Sequence, residues 1–379
     1  MKVKLFMPIL LSIFLLGSCI PKQELENLGV INARGVDIRE DDQYETTIVI
    51  FQFEEQSNEI TKIVSGKGNT IKGAAENANL ETNFQLAPGK IELEIYGMEA
   101  AKEGVFHSLD TLNRDANLPD TTFLSISKTS AKEIITVQEK DISMNIGQFL
   151  HGLIKENSRK SEFPRVTIQD FLRSFYDIGI DPILPVFALE GDKPKITSIA
   201  ILQDDKYVGE RPADEILFFN LLKTPIKDKW LEVTIPMAPF EQYIEKEVNI
   251  HQRKEVLHTA FNILKTKSRT TLIDKENLHF ETKLSLEVDL FELSEKVLLE
   301  KPEVVKLIEK EVEKKLTAQY EEILEQLQEQ NADPFGYGVI YRINQKDGKL
   351  GRKEWRAKYP MIKVDFKIET KITRHGTVD

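Results

Sequence analysis

Hydrophobic and polar residues follow two different periods along the first half of the chain. Short β-branched or aromatic runs, which are typical of strands, occupy residues 46–53, 91–96 and 121–127. Apolar residues that recur every three or four positions predict helices at residues 70–84, 98–112, 130–137, 144–157 and 168–176. Thr167 and Asp170 form a near capping box at the start of the last of these helices. The alternation predicts a sheet that is packed with helices and is at least partly parallel.

Long strands dominate the second half of the chain. The pattern predicts a hairpin at 197–209, a short helix near 213–222, and strands at 229–237, 259–271, 278–290 and 361–374. In the strand at 278–290 every second residue from Leu278 is apolar or threonine and the others are polar, so one face must be buried. The longest helix begins at Pro302 and extends to about residue 331, where Asp333 and Pro334 stop it. Its apolar stripe does not continue for further heptads, which favours a helix that covers a sheet over a coiled coil.

These patterns predict a multidomain protein of the α+β or mixed α/β class. An N-terminal region of alternating strands and helices precedes a large, mainly antiparallel sheet that one long helix packs. The stretch from 177 to 195 is rich in proline and glycine, which is typical of a linker, and it places a boundary near residue 195. We therefore expect domains at 19–195 and 196–379, with a further division near residue 240 left open.

The first eighteen residues are typical of a secretory leader. Lys2 and Lys4 precede an apolar run at 5–16, which is shorter than the roughly 20 residues that a membrane-spanning helix needs. Cys19, the single cysteine, follows directly. A catalytic thiol, an idle cysteine in a cleaved leader and a lipid attachment point are the alternatives. The segment Leu16-Gly17-Ser18-Cys19 resembles the bacterial lipobox, which implies a diacylglyceryl group on Cys19, cleavage before it, and stable anchoring by two or more acyl chains.

The excess of acidic over basic residues limits which kinds of molecule the protein can bind. The chain carries 51 basic and 62 acidic residues, a formal net charge of −11, and loss of the leader with its two lysines makes it −13. Nucleic acid is therefore an unfavourable partner. Attraction to anionic headgroups is weak as well, so acyl chains rather than a basic patch would hold the protein at a membrane.

Catalytic motifs are weak in this sequence. Ser125 and Lys128 match an S-x-x-K pattern, but Ser125 falls in a predicted strand and the accompanying S-D-N and K-T-G elements are missing from the sequence. The segment 65–70, SGKGNT, lacks the spacing of a phosphate loop and indicates a turn into a helix. His251 and His258 would lie about 10 Å apart on a helix, too far to share a metal ion. We expect no cofactor and no metal, although a catalytic pair among the many carboxylates stays open.

Several segments, in order, resemble the Ger(x)C family, the lipoprotein C subunits of nutrient germinant receptors in spore-forming bacteria. In the first half they are Cys19, GVINARGVDI, AAENANLETN leading into GKIELEIYGMEAAKEGV, and LDTLNRDANLP with Arg114 and Asp115. In the second half they are the long charged helix, DPFGYG at 333–338, Trp355, and a final alternating strand that ends in Arg374-His375-Gly376. The chain departs from the family in having Ile20-Pro21 directly after the cysteine.

The resemblance implies a mixed α/β fold and a non-enzymatic, lipid-anchored subunit on the outer face of the spore inner membrane. It would act there with the integral-membrane A and B subunits in nutrient-triggered germination. A solute-binding lipoprotein that holds the nutrient itself is the alternative, and a cell-wall hydrolase is a third. Besides Cys19, the positions that stand out as partner contacts or structural signatures are Arg114, Asp115, Asp333, Gly336, Gly338 and Trp355.

Overall fold

The protein is built on two β-sheets that follow one another along the chain. The computed structural model describes residues 28–51, 61–87, 90–113, 119–137, 144–159, 163, 165–244 and 255–375. Within these ranges thirteen strands form one sheet of nine strands and one of four, and ten α-helices pack on them. The predicted mixed α/β class is confirmed.

The first sheet has a parallel centre between antiparallel wings. Its strands are β1 (Leu28–Ile38), β2 (Tyr44–Phe51), β3 (Thr61–Gly68), β4 (Gln85–Ala87), β5 (Leu93–Tyr96), β6 (Phe123–Ser127), β7 (Ile183–Glu190), β8 (Lys193–Gln203) and β9 (Lys206–Pro212). They lie in the order β3-β2-β1-β5-β6-β7-β8-β9, and β4 pairs beside β1. The strands β1, β5, β6 and β7 run parallel to one another, whereas the strands on either side are antiparallel.

Six helices cover the two faces of this sheet. They are α1 (Ile71–Asn79), α2 (Met98–Glu103), α3 (Phe106–Asn113), α4 (Ala131–Ile135), α5 (Ile146–Arg159) and α6 (Ile168–Tyr176). One apolar cluster joins α2, α3 and α6 to the sheet, and a second joins α4 and α5. The capping box at Thr167 and Asp170 is present, and it starts α6 at the predicted residue.

One face of the second sheet packs against the long helix. Its strands are β10 (Lys229–Pro236), β11 (Val256–Asp274), β12 (His279–Leu293) and β13 (Lys363–His375), in that order. The first three strands are antiparallel, and β13 runs parallel to β12. The helices of this part are α7 (Ile216–Lys223), α8 (Pro302–Glu329), α9 (Tyr337–Ile343) and α10 (Arg352–Lys358). The apolar face of β12 and the apolar stripe of α8 pack together in one core, as the sequence predicts.

The helix α8 also protects an edge of the second sheet. Glu313 accepts a hydrogen bond from the backbone N–H of Thr370 at 2.8 Å, and Glu309 accepts one from Ile372 at 2.7 Å. These two N–H groups belong to β13, the last strand of the sheet. Because an edge strand with unpaired N–H groups is a template for aggregation, the two glutamates satisfy donors that would otherwise be available to another chain.

Three predictions for the first half are wrong in part. The helix predicted at 98–112 is broken at Gly104, whose φ of 125° lies in a region that favours glycine. The helix predicted at 70–84 ends at Asn79. The predicted linker is not a linker, because most of it forms β7 and the start of β8. Pro185 is tolerated in β7 since this strand pairs with β6 over only two residues, Val186 and Phe187.

Residue 195, where we placed the boundary, therefore lies within a strand of the first sheet. The second sheet begins at Lys229. The division of the chain into domains stays a prediction.

The glycines at residues 66 and 68 allow α1 to lie directly on β3. A methyl group on Gly66 would overlap backbone atoms of Ala74 and Ala78, and one on Gly68 would lie 2.6 Å from the backbone nitrogen of Ala74. The segment SGKGNT is therefore the end of a strand followed by a helix N-cap at Thr70, whose side chain accepts from the N–H of Gly73. Its glycines serve close packing between strand and helix.

We predict that Gly66→Ala lowers the free energy of unfolding by about 1–3 kcal/mol, because the helix must move away from the strand. Gly152→Ala in α5 is the matched control, since nothing lies within 4 Å of its added methyl group. The control should be neutral or raise stability by about 0.5–1 kcal/mol through its better helix propensity. Urea unfolding of both variants measures the difference, and equal values for the two would contradict this account of the packing.

Candidate functional site

Four of the residues that stand out in the sequence come together in the turn between α8 and α9. Asp333 is fully buried at the start of this turn, and Gly336 adopts a left-handed conformation with a φ of 81°. Gly338 is also buried, and Trp355 reaches the turn from α10. The left-handed residue reverses the chain so that the following N–H groups point back at Asp333.

The Asp333 carboxylate accepts four hydrogen bonds. Oδ1 accepts from the N–H of Gly336 at 2.8 Å and of Tyr337 at 3.1 Å. Oδ2 accepts from the N–H of Gly338 at 2.8 Å and from the indole Nε1 of Trp355 at 3.1 Å. Burial raises the pKa of Asp333 to about 7, the charge of Asp181 raises it as well, and the three backbone donors oppose the shift. All four donors are N–H groups, which match a carboxylate better than a protonated acid.

A second group of charges links this turn to the first sheet. The backbone of Asp333 and that of Asp181 are joined, because the N–H of Asp181 donates to the Asp333 carbonyl at 2.9 Å. In return, the N–H of Asp333 donates to Oδ2 of Asp181 at 2.6 Å.

Arg356 donates to both oxygens of Asp181 and to Oδ1 of Asp204 at 2.8 Å. Arg352 pairs with Asp204 and donates to the carbonyl of Phe175 at 2.6 Å. We call these residues the Asp333 cluster: Asp181, Asp204, Asp333, Arg352, Trp355 and Arg356.

The charges of the cluster stabilise one another. Partial burial would by itself raise the pKa of Asp204, but hydrogen bonds from Arg356 and Arg352 hold it below its ordinary value. In the same way, burial would lower the pKa of Arg356, and the carboxylates of Asp181 and Asp204 raise it instead. Asp181, Asp204 and Arg356 therefore each have an opposite charge and hydrogen bonds, the condition under which burial of charge is tolerated, whereas Asp333 is held by its four N–H donors.

The backbones of the two halves touch beside the cluster. The N–H of Val339 donates to the carbonyl of Gly179 at 3.1 Å, and Gly179 has a φ of 105°. A methyl group on Gly338 would lie 2.5 Å from the Cα of Gly179 and 2.6 Å from the Trp355 ring. Only glycine permits this approach at both positions. The cluster thus joins the segment before β7 and the β8–β9 turn to the α8–α9 turn and α10.

The sequence did not identify every residue of this cluster. It singled out Asp333, Gly336, Gly338 and Trp355, but not Arg352 and Arg356, which lie on the same helix as Trp355, nor Gly179, Asp181 and Asp204 on the opposite side. The only signal for the residues of the opposite side was a Gly-Asp pattern in DIGID and an aspartate pair in the predicted hairpin, and the two arginines had none. Cys19, Arg114 and Asp115 lie outside the described residues.

The weak catalytic motifs have structural uses where the structure describes them. Ser125 lies in β6 and donates to the backbone carbonyl of Glu94 at 3.3 Å, and Lys128 pairs with Glu210 at 2.7 Å. His258 lies at an exposed position of strand β11, not on a helix, and hydrogen-bonds Thr234, whereas His251 falls outside the described part. No group of three or more His, Cys, Asp or Glu residues in the described ranges could hold a metal ion. Among the same residues, no helix is long and apolar enough to cross a membrane.

A second buried polar cluster explains the motif GVINARGVDI, which forms β1. Arg34 donates from Nε to Glu94 at 2.9 Å and from a terminal nitrogen at 2.8 Å, and Glu94 is fully buried. Asn32 donates to Asn145. Asp37 accepts from the N–H groups of Ala131 and Lys132 at the start of α4. The polar residues of this central strand therefore have partners that are far away in sequence.

We predict that Asp333→Asn lowers the free energy of unfolding by about 2–4 kcal/mol, because the amide group would leave two N–H donors without an acceptor. Asp214→Asn, at an exposed carboxylate in the 3-10 helix Ala213–Glu215, is the control and should change stability by less than about 0.5 kcal/mol. Chemical denaturation measures both variants. Similar stabilities for the two would show that the four hydrogen bonds contribute little.

We also predict that Arg356→Met weakens the joint between the halves by about 2–4 kcal/mol, less than a fully buried pair because the arginine side chain is 17% exposed. The N–H groups of Asp204 and Asp333 both donate to Asp181, so their hydrogen exchange should accelerate. Lys353→Met, at an exposed position of the same helix, is the matched control. Unchanged exchange at these two amides in Arg356→Met would contradict the role of the ion pair.

Comparison with known proteins places both halves in one group. The family model "Spore germination protein N-terminal domain" matches residues 21–189, and "Spore germination B3/ GerAC like, C-terminal" matches residues 197–376. The spore germination protein GerQC of Bacillus cereus is 22% identical over 378 residues, which cover 98% of each chain. The spore germination protein KC of Bacillus subtilis (strain 168) is 24% identical over 97% of this chain and 94% of its own.

A solved structure shares the fold. The crystal structure of the GerBC protein covers 90% of this chain and 97% of its own, with a TM-score of 0.52 and 17% identity. At that identity the likeness concerns the fold. Together with the two family models, which span nearly the whole chain, it shows that this protein belongs to the Ger(x)C family, the C subunits of germinant receptors in spore germination.

Proposed function

We propose that this chain is a lipid-anchored, non-enzymatic subunit of a nutrient germinant receptor. It would lie on the outer face of the spore inner membrane and act there with the integral-membrane A and B subunits. The names of the relatives support a role in spore germination. The lipobox-like segment ending at Cys19 supports attachment through acyl chains, since two chains anchor a protein stably where one is marginal.

The non-enzymatic role is supported mainly by the partners of the buried charged groups. The Asp333 carboxylate has N–H donors on all four acceptor positions, and Asp181 and Asp204 are bound by arginines. A general acid or base needs a position from which it can reach a substrate proton. These groups instead connect the two halves, which favours a subunit that transmits contacts between neighbours. Ser125 and Lys128 are likewise engaged, which disfavours the hydrolase alternative.

The lipid anchor is tested by Cys19→Ala in the sporulating organism. We expect the variant to leave the membrane fraction and to slow germination in response to nutrients, because acyl attachment requires the thiol. Ser18→Ala is the matched control, since it keeps a small residue before the cysteine and should retain both membrane association and germination. Immunoblots of spore membrane and soluble fractions measure the distribution. Retention of Cys19→Ala in the membrane at the control's level would count against the proposal.

A further inference from the structure

A cavity of about 460 Å³ lies where the two halves of the protein meet. On one side it is lined by α5, α6 and the segment before β7, and on the other by the end of α7. Its apolar lining consists of Pro182 and of four residues from the cores of the two halves, Phe163, Val166, Phe171 and Ile183. A volume in this range is typical of sites for small ligands, which generally combine an apolar wall with a few polar groups.

The polar part of the lining has an excess of positive charge. Arg165, Arg173 and Lys223 line the cavity, together with Asp170 and Asp181. Asp181 is already neutralised by Arg356. Oδ2 of Asp170 accepts from the N–H and the hydroxyl of Thr167, and its Oδ1 lies 3.5 Å from Arg173. The two acids are therefore engaged by their own neighbours.

Among the described residues, two of the three cations have no counter-ion. Within the described ranges no carboxylate lies within ion-pair distance of Arg165 or Lys223. Loss of hydration lowers the pKa of Lys223; the charge of Asp333 opposes this shift and that of Arg173 adds to it, and the net pKa is about 8. Lys223 is nevertheless open to solvent within the cavity. Like charges that face one recess repel each other unless an anion lies between them.

An unpaired hydroxyl also borders the cavity. The Oγ atom of Ser158, near the end of α5, is buried and has no hydrogen-bond partner among the residues that the structure describes. Buried polar atoms in proteins are generally satisfied by protein, water or ligand. This hydroxyl can donate to an acceptor that enters the recess.

We propose that this cavity binds a small organic anion, whose carboxylate lies between Lys223 and Arg173 and whose apolar body rests on Phe163, Phe171 and Ile183. The cations favour a negatively charged ligand over a neutral one, because hydrogen bonds between charged groups are roughly twice as strong as those between neutral groups. The apolar lining selects an organic acid over a bare inorganic ion. The site is independent of the lipid anchor and of the membrane partners proposed above.

The test uses the full-length chain in detergent and isothermal titration calorimetry with two acids, hexanoate and 3-phenylpropionate. Their uncharged analogues, hexan-1-ol and 3-phenylpropan-1-ol, keep the apolar body and lack the charge. We expect at least one acid to bind with a dissociation constant about tenfold or more below that of its alcohol. Failure of both acids to bind, or equal affinities of acid and alcohol, would overturn the proposal.

Substitutions in the cavity lining test whether the acid binds there. Lys223→Met and Arg173→Gln should each raise the dissociation constant of the acid about tenfold. Lys227→Met, four residues further along and outside the cavity lining, is the matched control and should leave it unchanged. The Arg173 side chain is 77% exposed, so Arg173→Gln is expected to fold even if Lys223→Met does not. Wild-type affinity in Arg173→Gln, or an equal loss in Lys227→Met, would place the anion elsewhere and refute the assignment.

Discussion

The arrangement of the two halves depends on one buried carboxylate. Asp333 fixes the turn after the long helix, because its four N–H donors are satisfied only when Gly336 is left-handed and Trp355 packs beside it. That turn sets where α9 and α10 begin, and α10 carries Arg352 and Arg356 toward the first sheet. Without the turn, neither arginine would reach Asp181 or Asp204. A local hydrogen-bond requirement thus determines a long-range arrangement.

The glycines beside the cluster follow from the same requirement. The N–H groups can point at Asp333 only if the backbone at Gly338 comes close to Gly179 and to the Trp355 ring, and any side chain would prevent this. Burial of so many charges is costly unless every ion has a partner. Asp181 meets this condition because it accepts from the backbone of Asp204 and Asp333 as well as from Arg356. Close packing and charge pairing are therefore two parts of one constraint.

The sequence predicted elements whose stability is local and missed those that depend on distant partners. The helix α6 has a capping box, α8 has a proline in its first turn and a regular apolar stripe, and β12 alternates strictly, and all three appear where the pattern placed them. In contrast, β1 was not recognised as a strand, because Asn32, Arg34 and Asp37 interrupt its apolar pattern. Their partners, Asn145, Glu94 and the start of α4, lie 60 to 113 residues away. The same holds for the cluster, in which Asp333 was visible as a helix stop, whereas Asp181 had only the weak signal of DIGID and Arg356 had none.

The cavity and the Asp333 cluster are not independent of each other. Asp181 lines the cavity, and its carboxylate also accepts a hydrogen bond from the backbone N–H of Asp333. Lys223, on the opposite wall, interacts electrostatically with the Asp333 carboxylate. An anion beside Lys223 would reduce the positive charge that Asp333 experiences, and it would face the same aspartate that joins the two halves. By thermodynamic linkage, a ligand that binds more tightly when the two halves are in contact must stabilise that contact by the same free energy. If the recess binds an anion, its occupancy would therefore be linked to the contact between the two sheets.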